Sequence, residues 1–376
     1  MERVFLTRCP TYDREAVSGR IEAMFRALEF DRFVKPGMRV AVKPNLVMRA
    51  APEAAVTTHP AVTAAVCRWL SERGADVVVA ESPGGPYTPA LMHAIYSGCG
   101  YREAAQTEGF RLNEDYSHGT LSVPDGKKCS AFPVITPFLE ADLIVDIAKL
   151  KSHCMTMLSG AVKNMFGAVP GLLKPELHCR FPDKEDFAGM LVDLCAALKP
   201  RICVIDGITA MEGNGPSGGQ PRSMQVLAAA ENPFALDWVC AQLIGMRPQE
   251  IPMLRAGMER GLSPQNIGQI EVLGEPVNAL RQKNFLQPES KSCNFAYRLP
   301  KVLRPAAEKL LTPVPKIRKR ECIGCGKCAE SCPQHTISIV ERKAVIRYQN
   351  CIRCYCCQEM CPRHVIDIKR LSLFDL

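Results

Sequence analysis

The sequence predicts an α/β domain, with a mostly parallel sheet and flanking helices, followed by a small cysteine-rich α+β module. Two observations support this prediction. Residues 1–283 alternate short apolar, β-branched runs with amphipathic segments of helix length, which is typical of a parallel sheet with crossover helices. Of the 19 cysteines in the 376 residues, nine lie between Cys322 and Cys361. The chain is long enough for one large domain and one small one.

Strands are predicted where short apolar runs stand between turn residues. They cover residues 4–8, 39–43, 76–81, 142–148, 201–206 and 224–229. Amphipathic periodicity predicts helices over residues 14–28, 60–73, 185–198 and 233–244. Pro60 fits the first turn of its helix, because a backbone N–H at that position has no helical partner.

The end of the chain is predicted to be a linker and a repeat. Five prolines between Pro288 and Pro315 interrupt the segment 284–315, which favours a linker. Within residues 316–376, CIGCGKCAESCPQHTISI (322–339) and CIRCYCCQEMCPRHVIDI (351–368) superpose at an offset of 29 residues. Two related copies predict a compact module with pseudo-twofold symmetry.

Each copy of the repeat has the cysteine spacing C-x2-C-x2-C-x3-C-P. In this spacing three thiolates bind one cubane cluster and the fourth cysteine binds the neighbouring cluster. We therefore expect two [4Fe-4S] clusters, one held by Cys322, Cys325, Cys328 and Cys361, the other by Cys351, Cys354, Cys357 and Cys332. Zinc is the alternative metal, but zinc sites use paired C-x2-C units and do not require this doubled pattern. Cys356, beside Cys357, is interpreted as a spare buried thiol.

The net charge of +8 is concentrated at the end of the chain, because residues 301–376 hold 15 Lys or Arg and 7 Asp or Glu. Each oxidised cluster with four thiolates carries a charge of about −2, which nearby cations stabilise. Nucleic acid is not an expected partner, since no recognised binding motif accompanies the charge. No apolar run is long enough to span a membrane, and the charged start of the chain does not resemble a signal peptide, so we expect a cytoplasmic protein.

Polar residues follow several predicted strands, where open parallel sheets bind ligands. Lys149 and Lys151 lie two residues apart in a segment, 149–167, that contains no acidic residue. The Ser159-Gly160 turn is expected to expose backbone N–H groups, which favour an anion. The sequence therefore predicts a site for a small anionic substrate, formed by Lys43, Asn45, Lys149, Lys151, Lys163 and Asn164.

His153 is the predicted proton donor of this site, and His59 or Glu81 is its substitute, because histidine and glutamate side chains can carry out acid–base catalysis. Two alternatives for the lysines stay open. In the first, the lysines face the cysteine module and neutralise the charge of its clusters. In the second, the lysines lie on an exposed helix face.

Three resemblances extend this interpretation. Residues 316–376 resemble the bacterial two-cluster ferredoxins. The motifs KPNL, TTHP, ESPGG, KLKSH and GAVKNMFG, followed by the cysteine repeat, resemble the family known as domain of unknown function 362 over nearly all of the chain. This resemblance implies an α/β domain fused to a ferredoxin module. The large domain is also distantly similar to the lactate racemases, in which a lysine and histidines hold a nickel-pincer nucleotide, although no residue is carried over.

The leading hypothesis is an oxidoreductase in which a low-potential donor protein reduces the clusters and the electrons pass to a small anionic substrate or cofactor in the α/β domain. A second hypothesis is an electron carrier or assembly protein whose α/β domain docks a partner without catalysis. A third is a redox-neutral isomerase or racemase that uses its clusters structurally.

Overall fold

The computed structural model describes residues 1–289 and 312–369. A nine-stranded sheet forms the centre of the large domain, and a separate hairpin, β5–β6, lies outside it. The strands of this domain are β1 (Glu2–Arg8), β2 (Arg39–Pro44), β3 (Asp76–Val79), β4 (Arg111–Leu112), β5 (His118–Ser122), β6 (Ala131–Ile135), β7 (Leu143–His153), β8 (Met157–Ser159), β9 (Ile202–Glu212), β10 (Gln220–Ala230) and β11 (Ile270–Gly274).

The sheet has the order β11-β1-β10-β9-β7-β2-β3-β4, and the short strand β8 pairs with the end of β7. The run from β9 to β4 is parallel, as is the β1–β11 pair, whereas β10 is antiparallel to both of its neighbours. The predicted fold class, a mostly parallel sheet in an α/β domain, is confirmed.

Helices cover both faces of the sheet, and each face has its own buried apolar cluster. One cluster includes Phe25 and Trp69, and the other includes Phe187 and Trp238. The helices of the large domain are α1 (Arg14–Ala27), α2 (Pro60–Ser71), α3 (Pro89–Gly98), α4 (Tyr101–Glu108), α5 (Thr136–Leu139), α6 (Ala161–Asn164), α7 (Leu173–Arg180), α8 (Lys184–Leu198), α9 (Pro233–Leu243), α10 (Pro252–Glu259) and α11 (Val277–Leu280).

The predicted strands and helices all form, but three neighbouring strands are longer than the sequence suggested. β7 continues to His153, β9 continues to Glu212 and β10 begins at Gln220. Every residue of β7 is buried, including two lysines and the histidine at its end. Side chains alternate between the two faces of a strand, so the extension of β7 gives Lys149, Lys151 and His153 a common direction.

The C-terminal module contains β12 (Val314–Ile317), β13 (Ile337–Val340), β14 (Lys343–Ile346) and β15 (Ile366–Lys369), with the short helices α12 (Lys327–Glu330) and α13 (Cys356–Glu359). The strands form two antiparallel pairs, β12–β15 and β13–β14. Of the predicted linker 284–315, residues 290–311 lie outside the described residues. Among the helices in the described ranges, none has the length and apolarity needed to cross a membrane.

Candidate functional site

The cysteines of the module surround two small cavities, and each cavity has four of them in its wall. One is lined by Cys322, Cys325, Cys328 and Cys361. The other is lined by Cys332, Cys351, Cys354 and Cys357. These are the crossed ligand sets that the repeat predicts, so the residues fit two cubane clusters.

Other features of the module agree with this fit. In the described ranges, no three His, Cys, Asp or Glu side chains are arranged around a single metal ion, whereas the four thiolates of a cubane cluster each bind a different iron. Cys356 lines neither cysteine cavity. It lines a third, larger cavity between the module and the α/β domain.

Lys43, at the end of β2, forms a buried ion pair with Glu81, which follows β3. Their side chains are 0% and 3% exposed, and the backbone N–H of Leu46 donates to the same carboxylate oxygen at 3.2 Å. Gly167 provides the space for this pair, because a Cβ atom there would lie 2.0 Å from Glu81 Oε1 and 2.5 Å from Lys43 Nζ. The charge of Lys43 is therefore compensated inside the protein.

Lys149 has an internal partner as well, because its Nζ donates to Asp206 Oδ2 at 2.8 Å and to the Tyr12 hydroxyl at 2.9 Å. Tyr12 donates in turn to Asp206 Oδ1 at 2.9 Å, and its ring stacks on His59 with the centroids 3.7 Å apart. Burial lowers the pKa of His59 to about 4. This network is separate from the interdomain cavity, since neither Lys149 nor His59 lines it.

Lys151 lies behind the cavity and holds one of its wall residues. Its Nζ donates to Asn45 Oδ1 at 2.7 Å and to the Val56 carbonyl at 2.8 Å. Asn45 Nδ2 donates to Asn164 Oδ1 at 3.1 Å, and Asn164 Nδ2 donates to the buried Asp146 at 2.6 Å. Burial, followed by the positive charge of Lys163, lowers the pKa of Lys151 to about 7. The chain of contacts fixes the orientation of both amides.

The anion expected at the Ser159-Gly160 turn is a side chain of the protein itself. Asp237 of α9 accepts hydrogen bonds from the N–H groups of Ala161 and Val162, at 2.6 and 3.0 Å. A Cβ atom on Gly160 would lie 2.0 Å from Asp237 Oδ1, so glycine is needed for this close approach. The two N–H groups that open α6 are thus already occupied by Asp237.

His153 is completely buried at the end of β7 and does not line the cavity. Its Nδ1 accepts hydrogen bonds from the backbone N–H groups of Met155 and Thr156, at 3.0 and 3.3 Å. The proton of the neutral ring is therefore on Nε2, which lies 3.2 Å from Glu359 Oε1 of the module. Burial lowers the pKa of His153 to about 4, and Glu359 is in the cavity wall.

The interdomain cavity has a volume of about 320 Å³, within the range of small-molecule sites. Four of the predicted site residues line it, and they are Asn45, Glu81, Lys163 and Asn164. Lys43, Lys149, Lys151, His153 and His59 do not line it. The wall also contains polar residues that the sequence did not indicate, namely Lys174, His178, Ser331 and Glu359.

Lys163 differs from the other cations of the cavity wall. Its ammonium group makes no hydrogen bond and no ion pair with any residue in 1–289 or 312–369, and burial lowers its pKa. Lys174 donates to three backbone carbonyls, Lys327 pairs with Glu330, and Arg49 is exposed. Lys163 is therefore the partly buried cation that is available to a ligand.

His178 of α7 is a second group in the cavity wall that is available to a ligand. The imidazole ring stacks on Phe187, with the centroids 4.2 Å apart, and contacts the edge of Phe166. In the described part of the chain its Nδ1 has no hydrogen-bond partner. Burial lowers the pKa of His178 to about 3, so the ring is neutral near pH 7.

A glycine-rich loop attaches the module to the α/β domain. Gln358 Nε2 donates to the Asn214 carbonyl at 2.7 Å, and the Ser217 hydroxyl donates to the Glu359 carbonyl at 3.0 Å. A Cβ atom on Gly218 would lie 2.4 Å from Gln358 Nε2, and one on Gly84 would lie 2.3 Å from Met360 Sδ. Small residues therefore allow α13 to pack closely enough to close the cavity.

Comparisons with known proteins agree with this two-part organisation. Residues 321–365 match the model of the 4Fe-4S dicluster domain, so this is an iron–sulfur protein. A thylakoid-associated protein of Synechocystis sp. is 31% identical over 306 residues, which are 81% of this chain and 93% of that protein.

The lactate racemase apoprotein of Thermoanaerobacterium thermosaccharolyticum is a weak structural neighbour, with a TM-score of 0.39 and 12% identity. The similarity covers 64% of this chain and only 57% of the racemase. Residues 40–242, more than half of the chain, match the model described as domain of unknown function, DUF362. The predicted resemblance is thereby confirmed, and the chain belongs to the DUF362 family.

Proposed function

We propose that this protein is an oxidoreductase that passes electrons from two [4Fe-4S] clusters to a small anionic molecule in the interdomain cavity. One observation carries the proposal. Five wall residues each stand next in sequence to a cysteine of the two cysteine cavities, namely Lys327, Ser331, Cys356, Met360 and Pro362. The opposite wall contains Lys163 and Asn164. A ligand held there is one residue away from the thiolates.

The side chains around the cavity divide into binding groups and supporting groups. Lys163 binds the negative charge of the ligand, and Asn45 donates its second Nδ2 hydrogen in an orientation fixed by Lys151 and Asn164. Asn164 is a supporting group, because its amide is used in contacts with Lys43, Asn45 and Asp146. Lys43 and Lys149 hold the ends of their strands through Glu81 and Asp206. His178 offers the ligand a neutral imidazole.

When bound, the clusters would supply electrons singly over a wide range of potentials, about −700 to +450 mV for such centres. The partner that delivers these electrons is proposed to be a low-potential donor protein. Cys325 is an exposed ligand of the first cluster site, and the side chains of Ile323 and Val340 nearby in the module are 54% and 51% exposed. We place the donor at this surface. The cytoplasmic location is retained as a prediction.

The test starts from anaerobically purified protein, whose small-molecule content is identified by mass spectrometry. The clusters are then reduced chemically and mixed with the identified molecule, and reoxidation is followed in the visible absorption of the clusters. We expect rapid reoxidation in the wild type and slow reoxidation in Lys163→Met. Lys35→Met, at an exposed position away from the cavity, serves as the control. Clusters that stay reduced in excess ligand would reject the proposal.

An electron carrier without catalysis is the second candidate, and the exposed apolar side chains of Ile323 and Val340 favour it. Apolar groups at the protein surface are used to dock partner proteins. The clusters of a carrier would be reoxidised by a partner protein and not by the molecule that occupies the cavity. The reoxidation experiment described above therefore separates the two functions.

A further inference from the structure

The lining of the interdomain cavity is mainly apolar. Its apolar side chains come from both domains, namely Val47, Met48, Leu91, Ile95, Phe166, Leu172 and Met360. A cavity with this composition favours a ligand that removes apolar area from water. A small hydrated anion such as phosphate leaves this surface uncovered.

The apolar and cationic groups of the wall come from different elements. Leu91 of α3 and Met360, which follows α13, meet at one place, because a Cβ atom on Gly85 would lie 3.5 Å from a methyl group of each. Lys163 is on α6, with its Nζ 6.0 Å from the centre of the Phe166 ring. Gly167, which adjoins Phe166 in sequence, packs against the Lys43–Glu81 pair. The cavity therefore has a cationic part, at Lys163, and an apolar part, where Leu91 meets Met360.

The cationic part has one partly buried charge to satisfy. Lys163 has no carboxylate of the described chain within salt-bridge distance. An unpaired cation in a partly dehydrated site is costly until an anion meets it. Asn45 lies in the same wall and has a second Nδ2 hydrogen to donate, so the site matches a single negative charge.

We infer that the cavity binds an amphiphilic monoanion, in which one carboxylate is joined to an apolar ring system. The carboxylate pairs with Lys163, and the rings lie against the apolar wall that Leu91 and Met360 share. This inference rests on the proposed function, since it assigns the substrate class of the same cavity. It accounts for a cavity that combines one unpaired ammonium group with a mostly apolar surface.

The test is a binding measurement by isothermal titration calorimetry on anaerobically purified, oxidised holoprotein. The ligands are 2-naphthoate, its neutral analogue 2-naphthylmethanol, acetate and inorganic phosphate. We expect 2-naphthoate to bind at least about tenfold more tightly than each of the others, because only it satisfies both parts of the cavity. Equal affinity for acetate, phosphate or the neutral analogue, or absence of 2-naphthoate binding, overturns the inference.

Two variants locate the interaction. Lys163→Met should weaken 2-naphthoate about ten- to hundredfold, the usual effect of losing a charged hydrogen bond, and leave 2-naphthylmethanol unchanged. Leu91→Gln should weaken both ring compounds, and Lys35→Met should affect neither. Iron content and circular dichroism show whether each variant is folded. If a variant does not fold, the comparison of the four ligands on the wild-type protein decides whether the inference holds.

The readout involves no electron transfer, so the two proposals fail separately. Tight binding of 2-naphthoate with no reoxidation of reduced clusters by the native ligand would reject the proposed function alone. Reoxidation by a hydrophilic ligand, with no preference for 2-naphthoate, would reject the amphiphilic substrate alone.

Discussion

His153 Nε2 lies 3.2 Å from Glu359 Oε1, so the predicted proton donor of the α/β domain faces a carboxylate of the cysteine module. The imidazole has no access to the cavity, whereas Glu359 forms part of the cavity wall. His153 therefore lies against the cavity wall and is not part of it.

Acidification should destabilise the protein through three histidines, of which His153 and His178 are buried and His59 is half-buried. Burial lowers the pKa of His59 and His153 to about 4 and that of His178 to about 3, from 6.5 in the unfolded chain. Between pH 4 and pH 6.5 the unfolded state binds more protons than the folded state. The free energy of unfolding therefore increases with pH over this range, and the protein loses stability as the pH falls from 6.5 towards 4. Each histidine contributes about 1.4 kcal/mol per pH unit.

This dependence is measured by urea unfolding followed by the fluorescence of Trp69 and Trp238, both in the α/β domain. His178→Phe should reduce the slope of stability against pH by the contribution of one proton. His118→Phe, at an exposed position, should leave the slope unchanged. An unaltered slope in His178→Phe would contradict the assignment.

Gly167→Ala should destabilise the protein by about 1–3 kcal/mol, because the new methyl group displaces the buried Lys43–Glu81 pair. Gly19→Ala is the matched control. Gly19 lies on the exposed side of α1 with no atom within 4 Å of its Cβ position, so alanine should stabilise by about 0.5–1 kcal/mol. Equal effects in denaturant unfolding would rule out the steric argument.

Lys43→Met should cost about 3–5 kcal/mol, because it leaves the Glu81 carboxylate buried without its cation. The double variant Lys43→Met/Glu81→Gln removes both charges and should be less destabilised than Lys43→Met alone. Urea unfolding of the two single variants and the double variant gives the coupling energy. A double variant as unstable as the sum of the singles would mean that the pair is uncoupled.

Cys357→Ser should remove about half of the iron and acid-labile sulfide, because one of two clusters loses a ligand. Cys356→Ser should retain both in full, since Cys356 lines neither cysteine cavity. Iron and sulfide analysis of anaerobically purified protein separates the two neighbours. Loss of iron in Cys356→Ser would show that the assignment of the ligands is incomplete.

Much of the fold follows from local sequence patterns. Apolar runs predict the strands and amphipathic periodicity predicts the helices, for example α1, which begins after Asp13, whose carboxylate accepts from two backbone N–H groups. The prediction ends β7 too early because four of the five residues 149–153 are polar, and polarity normally marks the end of a buried strand. Here buried partners on other elements satisfy these side chains, which a local pattern does not contain.

The candidate site was only partly predictable for the same reason. The segment 149–167 has no acidic residue of its own, but its groups face carboxylates from other elements. Lys149 meets Asp206, the backbone at Ala161 meets Asp237, and His153 meets Glu359. Asp206 is the last residue of the predicted strand 201–206, so the sequence indicated that it could lie near Lys149 at the same edge of the sheet. Asp237 and Glu359 lie far away in the chain, and the position of Glu359 depends on how the module docks. His178 follows no predicted strand, and nothing in its surroundings marked it.

The contacts of α13 with Gly84, Gly218 and Ser217 have a consequence for protein engineering. Exchanging the cysteine module for that of another ferredoxin would preserve the iron sites but remove one side of the interdomain cavity, including Cys356 and Met360. The module is thus specific to this protein and is not interchangeable with other ferredoxin modules, and a chimaera would need the helix from Cys356 to Glu359 grafted along with it.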